Sequence, residues 1–232
     1  MKTAIVTGAS SGIGLEITTY LLQKEYKVYA IGRNFTDTFK ASLNLIPVVC
    51  NLTKLSDLTE KISVIKKENE IELLVNNAGV GYFGPHEELS PGKIHEMVAV
   101  NLEAPLTLTQ LLLRDLKKYK GTVINISSVT ANKSNTYGCA YGATKAGLSS
   151  FSASLFDEVR KYGVKVVTIH PDMTKTNFYR NANFKEGDTL DTYLLPKDVV
   201  EAVDLILSSR EGIVLKEITL VPQRHQLGKN KI

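Results

Sequence analysis

The chain has 232 residues, with 28 lysines and arginines against 24 aspartates and glutamates, a formal net charge of +4. Hydrophobic residues make up 43% of it, enough for a continuous core and too many for a disordered chain. The small basic excess comes without long basic runs, so no nucleic-acid partner is expected, and no segment approaches the roughly 20 apolar residues of a membrane span.

In chain order, Ala4-Ile5-Val6 reads as a strand and residues 12–24 as a helix carrying Ile13, Ile17, Tyr20 and Leu21 at helical spacing. The apolar opening stops at a Gly/Ser-rich loop, too soon for a signal-peptide core, and cytoplasm is the expected location. Val28 to Ile31 and Ile46 to Cys50 read as the next strands, and 55–68 as a helix with a polar face. Leu73-Leu74-Val75 and Thr122 to Ile126 follow as strands, then a helix over 141–162, a strand from Val164 to Ile169, a helix over 197–208 and a strand from Glu217 to Val221. This alternation predicts one α/β domain over residues 1–232: a Rossmann-like, doubly wound parallel sheet with helices on both faces. The polar, aromatic stretch 172–195 is expected to be a loop closing over a substrate. The tail from Arg224 to Lys231 reads as a solvated terminus. Cys50 and Cys139 form no CxxC pair and no close Cys/His set, so no metal site and no disulfide framework are expected.

The loop Thr7-Gly8-Ala9-Ser10-Ser11-Gly12-Ile13-Gly14 joins the first strand to the first helix. Glycines there permit a tight turn and let a pyrophosphate approach the helix N-terminus, where free N–H groups and the dipole favour an anion. The second strand ends Gly32-Arg33-Asn34, with no acid before Asp37. An acid at this point would hold the ribose 2′-hydroxyl of NAD; a planar cation such as Arg33 suits a 2′-phosphate. The expected cofactor is therefore NADP(H), bound by Gly8, Ser10, Ser11, Gly12, Ile13, Gly14, Arg33 and Asn34.

The element YxxxK occurs three times, at Tyr20/Lys24, Tyr141/Lys145 and Tyr193/Lys197. Pro196 interrupts the third, and the first sits on the opening helix. Only Tyr141 has a serine on a preceding strand end and a surround of small residues, which lets a cofactor and a substrate come close. A tyrosine with its ordinary pKa near 10 is a weak acid–base catalyst at neutral pH, and a cation on the same helix face, here Lys145, favours the phenolate.

Taken in order, the glycine loop, Asn76-Asn77-Ala78-Gly79, Asn101, Ser128 thirteen residues before Tyr141, Tyr141 to Lys145 and Pro171-Asp172-Met173-Thr174-Lys175-Thr176 resemble the short-chain dehydrogenase/reductase family along nearly the whole chain. The resemblance implies a hydride exchanged with a small carbonyl or alcohol substrate. Tyr141 would carry the proton, Ser128 would bond the substrate oxygen, and Lys145 would hold the nicotinamide ribose. Asn101 would hold a relay water. Asn77, Ala78 and Gly79 would line the cofactor, Asn51 and Leu52 would lie near its adenine, and Pro171, Thr174 and Thr176 would fix its carboxamide. It also implies a homodimer or homotetramer. Two residues depart from the family pattern: Asn51 replaces an aspartate and Asp172 a glycine. An inward Asp172 would disfavour anionic substrates. Within enzymes the alternative is a 3-oxoacyl reductase, although no basic docking patch is seen; outside them it is a non-catalytic NADP(H)-binding regulator. Glu217 to Pro222 resembles a branch of the family that oxidises 3-hydroxy acids and reduces small carbonyls.

Overall fold

Alternate residues of the first strand face opposite ways, and both sides are covered. In the computed structural model, which describes residues 1–35, 39, 42–180 and 182–229, β1 (Thr3–Thr7) is buried at every position. Ala4 and Val6 pack into one apolar layer and Ile5 into the other. That is the signature of a central strand in a two-faced parallel sheet.

The chain continues through α1 (Gly12–Gln23), β2 (Lys27–Gly32), β3 (Leu45–Val49), α2 (Leu55–Glu68), β4 (Ile71–Asn76), α3 (Pro91–Val98), α4 (Ala104–Lys118), β5 (Thr122–Ile126), α5 (Cys139–Val159), β6 (Lys165–Pro171), β7 (Phe184–Glu186), α6 (Pro196–Ser208), β8 (Glu217–Leu220) and β9 (Leu227–Lys229). Among the described residues, seven strands form one sheet in the order β3-β2-β1-β4-β5-β6-β8, and every pairing in it is parallel. The order reverses between β1 and β4. At such a switch point the loops leaving the strand ends diverge and open a crevice.

Helices cover both faces, as the strand–helix alternation requires. Leu58 and Ile62 of α2, Leu108 and Leu112 of α4 and Leu155 of α5 fill one side. Ile17 and Leu21 of α1 and Val199 and Val203 of α6 fill the other. The Tyr20/Lys24 pair braces these last two helices. Tyr20 donates to the Asp204 carboxylate at 2.5 Å and Lys24 approaches it at 3.2 Å.

Three features depart from the sequence reading. Helices α3 and α4, joined by the π-helical turn Ala99–Glu103, do not stand out in the apolar pattern of the sequence. Pro91 and Pro105 read as breakers, yet each stands in the first turn of its helix, where the missing N–H costs nothing. The α5 helix starts two residues earlier than expected and ends at Val159, and a short 3-10 turn then runs to Gly163, whose φ of +79° stops it. The stretch 172–195 carries β7, which pairs antiparallel with β9, and Arg224 grips Asp191 in two bonds of 2.5 and 2.9 Å. The tail is thus tied to the loop at Arg224 and β9, and its end at Lys231 lies outside the described residues, as does Asp37. No helix among the described residues is long and apolar enough to cross a membrane, and no group of three metal-ligating side chains occurs among them.

Candidate active site

The crevice at the switch point has a volume of about 320 Å³. Gly8, Ser10, Ser11, Gly12, Ile13, Arg33, Asn34, Asn51, Leu52, Asn77, Ala78, Gly79, Ser128, Tyr141, Lys145, Pro171, Thr174 and Thr176 all line it. Gly14 and Asn101 stand directly behind.

The glycine loop is shaped by close backbone approach. Gly8 and Gly12 hold φ of +64° and +56°, which side chains disfavour. A Cβ on Gly14 would lie 2.3 Å from the Gly8 carbonyl oxygen. Asn77 locks the loop from below, donating to the Thr7 and Gly8 carbonyls at 2.9 and 3.3 Å. The Thr7 hydroxyl answers by accepting from the Asn77 and Ala78 N–H groups at 3.0 Å. Asn77 therefore supports the loop with its side chain. Helix α1 begins after Ser11 with no side chain capping it. Its first N–H groups are left for an anion from outside, and the site fits a pyrophosphate.

Arg33 stands at the crevice rim, 3.6 Å from the Glu96 carboxylate of α3, which also accepts from the Tyr82 hydroxyl at 2.6 Å. The guanidinium is more than half exposed and keeps donors free. Asn51 spends its side-chain oxygen on Thr53, accepting from its N–H and hydroxyl at 3.1 and 3.0 Å. It thus closes a local turn, and its amide donors are the groups it has left.

At the other end lies Tyr141, near the start of α5 and almost fully buried. The rings of Phe83 and Phe178 stand 5.5 and 5.6 Å from its own. Their cover desolvates the phenol and pushes its pKa well above the ordinary range, while the Ser128 hydroxyl draws it down. The lowering expected from Lys145 does not come through in this state. The Lys145 ammonium lies 5.8 Å from the tyrosine ring and donates to the Ile126 carbonyl at 2.8 Å, and its own burial brings its pKa down to about 8.

Two serines end β5, and their partners separate them. The Ser127 hydroxyl turns to α5, donating to the Lys145 carbonyl at 3.0 Å. The Ser128 hydroxyl accepts from the Thr130 N–H and hydroxyl at 3.2 and 3.0 Å. The buried His170 holds Ser128 from behind, 3.1 Å from its carbonyl oxygen. A carbonyl only accepts, so Nδ1 carries the proton. Asn101, in the π-turn, accepts from the Val80 N–H and donates to the Val80 carbonyl, both at 2.8 Å. A third bond runs to the Thr144 hydroxyl at 3.1 Å. It pins the loop after β4 and keeps one oxygen lone pair uncommitted. Thr174 donates to the Asp172 carbonyl and Thr176 accepts from the Phe178 N–H.

Val80, Gly81 and Tyr82 also line the crevice, whereas the nearby Val129, Tyr137 and Met173 do not. Tyr137 is 62% exposed. Sequence reasoning missed Phe83, which covers Tyr141 together with Phe178 of the expected loop, and Glu96, Thr7 and His170. Thr7 stood in the glycine segment and was open to notice; the rings carried no signal, since only the fold brings residues 83 and 178 together.

A sequence profile of the family described as short chain dehydrogenase matches residues 2–187. The chain is 35% identical over 194 residues to the Helicobacter pylori "Probable short-chain type dehydrogenase/reductase VdlC", covering 82% of this chain and 70% of that one. It is 33% identical over 190 residues to a 3-oxoacyl-[acyl-carrier-protein] reductase of Buchnera aphidicola, covering 78% and 77%. Among solved structures it superimposes on an alcohol dehydrogenase from Thermococcus sibiricus complexed with 5-hydroxy-NADP, with a TM-score of 0.85, 25% identity and coverage of 97% and 99%.

Proposed function

The chain is an oxidoreductase of the short-chain dehydrogenase family, and from that premise we propose that it interconverts a hydroxyl and a carbonyl with NADP(H) as hydride carrier. The observation that carries this reading is the convergence of Ser128, Tyr141 and Lys145 with the uncapped helix N-terminus on one crevice. When bound, the nicotinamide supplies or takes the hydride. The chain's own residues handle the proton and the orientation. Tyr141 gives a proton to the substrate oxygen in reduction and takes it in oxidation. Ser128 hydrogen-bonds the same oxygen, held in place by His170 and Thr130. Lys145 turns from the Ile126 carbonyl to the ribose hydroxyls, and its ammonium then favours the phenolate of Tyr141. The open lone pair of Asn101 is suited to a water behind Lys145.

Gly8, Ser10, Ser11, Gly12, Ile13 and Gly14 cradle the pyrophosphate. Arg33, with Asn34 beside it, meets the 2′-phosphate, which supports NADP(H) over NAD(H). Asn51 and Leu52 border the adenine, Ala78 and Gly79 the ribose, and Pro171, Thr174 and Thr176 the carboxamide. A cytoplasmic homodimer or homotetramer belongs to the same reading; Cys50 and Cys139 are both free thiols, as a reducing compartment would leave them. The Buchnera aphidicola relative favours a second reading, reduction of 3-oxoacyl chains.

The test is a screen of NADPH oxidation over ketones, aldehydes and 3-oxo acids, with NADH alongside. Tyr141→Phe is expected to lower turnover by roughly a thousandfold while NADPH still binds. Turnover that survives the substitution would overturn the assignment, and a protein that binds NADPH without turning over any carbonyl would be the non-catalytic regulator.

A further inference from the structure

Charged side chains line the crevice at both ends. Arg33 and Arg180 both line it, and both act on the Tyr82 hydroxyl, whose pKa is nevertheless raised by its bond to Glu96 and by burial. The two guanidiniums therefore sit together at the Tyr82 end, where Arg33 meets the 2′-phosphate. The Tyr141 end holds the Lys145 ammonium, committed to the Ile126 carbonyl, and a carboxylate. Asp172 lines the crevice there with a side chain only 15% exposed. One of its oxygens accepts from the Met173 N–H at 2.8 Å. The other has Lys133 at 3.7 Å, beyond hydrogen-bonding reach, on a side chain 53% exposed.

An aromatic cluster stands at the same end of the crevice. Phe83, Phe178, Tyr179 and Phe184 form a continuous group with Tyr141, at centroid separations of 5.1 to 5.9 Å. The Tyr179 hydroxyl is raised in pKa by burial, then by Tyr141 and then by Asp172. One ring thus lies within electrostatic reach of both the reacting phenol and the carboxylate. A largely buried carboxylate in the same crevice as an aromatic cluster is an environment for an organic cation.

We propose that the substrate of this site is an amino alcohol, or the matching amino ketone, whose ammonium group is held by Asp172 and the aromatic rings while its apolar body lies among them. This rests on the hydroxyl–carbonyl chemistry proposed above. In oxidation the substrate loses its O–H proton to Tyr141 and its C–H hydride to the oxidised nicotinamide, and a carbonyl forms at that carbon. The C–N bond is untouched. An ammonium entering the site displaces only an exposed, loosely paired lysine from Asp172. A carboxylate entering it would have to draw Lys133 away and then stand beside Asp172, so 3-oxo and 3-hydroxy acids are disfavoured.

Three benzylic alcohols of similar size separate the possibilities at neutral pH: phenylethanolamine, its neutral isostere with methyl in place of ammonium, and mandelate. With oxidised NADP, kcat/KM for the amine is expected to exceed that for the isostere by about tenfold, and mandelate to be the poorest. Asp172→Asn, which keeps the acceptor for the Met173 N–H, should bring the ratio of amine to isostere close to one. Lys133→Ala, at an exposed position, should raise it. Calorimetric titration of the amine into the protein without cofactor should show the same loss of preference in Asp172→Asn. Equal rates for amine and isostere, a ratio unmoved by Asp172→Asn, or a preference for mandelate would each overturn the proposal. If none of the three alcohols turns over, the oxidoreductase reading fails for this class of alcohol, and the calorimetric ratio of amine to isostere still decides whether the site selects the cation.

Discussion

The two ends of the crevice are built from different materials. The cofactor end is backbone: glycines at positive φ, a bare helix N-terminus and an asparagine locking one loop to the next. The substrate end is side chain: rings from residues 83, 178, 179 and 184 gather beside Tyr141 from two connections, the one after β4 and the one after β6. Backbone geometry tolerates few sequences, so the first end is rigid and stereotyped. A cluster of packed rings accepts many sequences of similar volume, so the second end is where one member of a family differs from the next.

Substitutions that respect one end and damage the other sharpen this contrast. The largest effect is expected from Gly14→Ala. The new Cβ would meet the Gly8 carbonyl at 2.3 Å, and NADPH affinity should fall below detection in a fluorescence titration while α1 still forms by circular dichroism. Normal binding would mean that the loop is softer than its packing implies.

Next comes Lys145→Met, measured as stability against pH without cofactor. The native ammonium titrates at about 8 against 10.5 for an ordinary lysine. Below pH 8 both states hold the proton and the native state bears the full cost of burying it, about 3 kcal/mol. Between the two values only the unfolded chain binds the proton, so wild-type stability rises with pH. The methionine variant should therefore be the more stable protein at pH 7, and its advantage should shrink as pH climbs from 8 towards 10. A difference that stays flat across that range would show that the lysine is not desolvated.

Arg33→Ala should lower the preference for NADPH over NADH by about tenfold, on the order expected for losing one charge-assisted contact, with both cofactors compared by kcat/KM. Equal loss with the two cofactors would remove the 2′-phosphate from its role. The smallest effect belongs to Arg224→Ala. It releases Asp191 and Thr189 and should raise KM for the substrate about threefold, the modest effect expected of an exposed pair, without changing NADPH affinity. A matching change in NADPH affinity would mean that the two ends are coupled.

The same division explains what was legible in the sequence. Gly8, Gly12 and Gly14 stand within one short loop, and their requirement is local, so spacing pointed to them; Asn77, far along the chain, was found by resemblance. Strands β1, β2 and β4 announced themselves by short unbroken apolar runs. Tyr141 and Lys145 stand one turn apart on a helix, which spacing also captures. Phe83 and Phe178 are 95 residues apart, and no periodicity links them. The start of α4 was not legible: Pro105 stands in its first turn, directly after a π-turn that no local pattern announces. Asn101 was found by resemblance; only its three bonds to Val80 and Thr144 reveal how much of it is spent on holding a loop.

The pairing of β7 with β9 carries one more consequence, in the time domain. Phe184 pairs with Lys229, so during synthesis the wall beside Tyr141 has to wait for some forty further residues before its partner strand exists. Strands β1 to β5 and the glycine loop are on the N-terminal side of residue 127 and can already be in contact by then. The nucleotide half is in place first, and the half that chooses the substrate is fastened last, by the final strand of the fold.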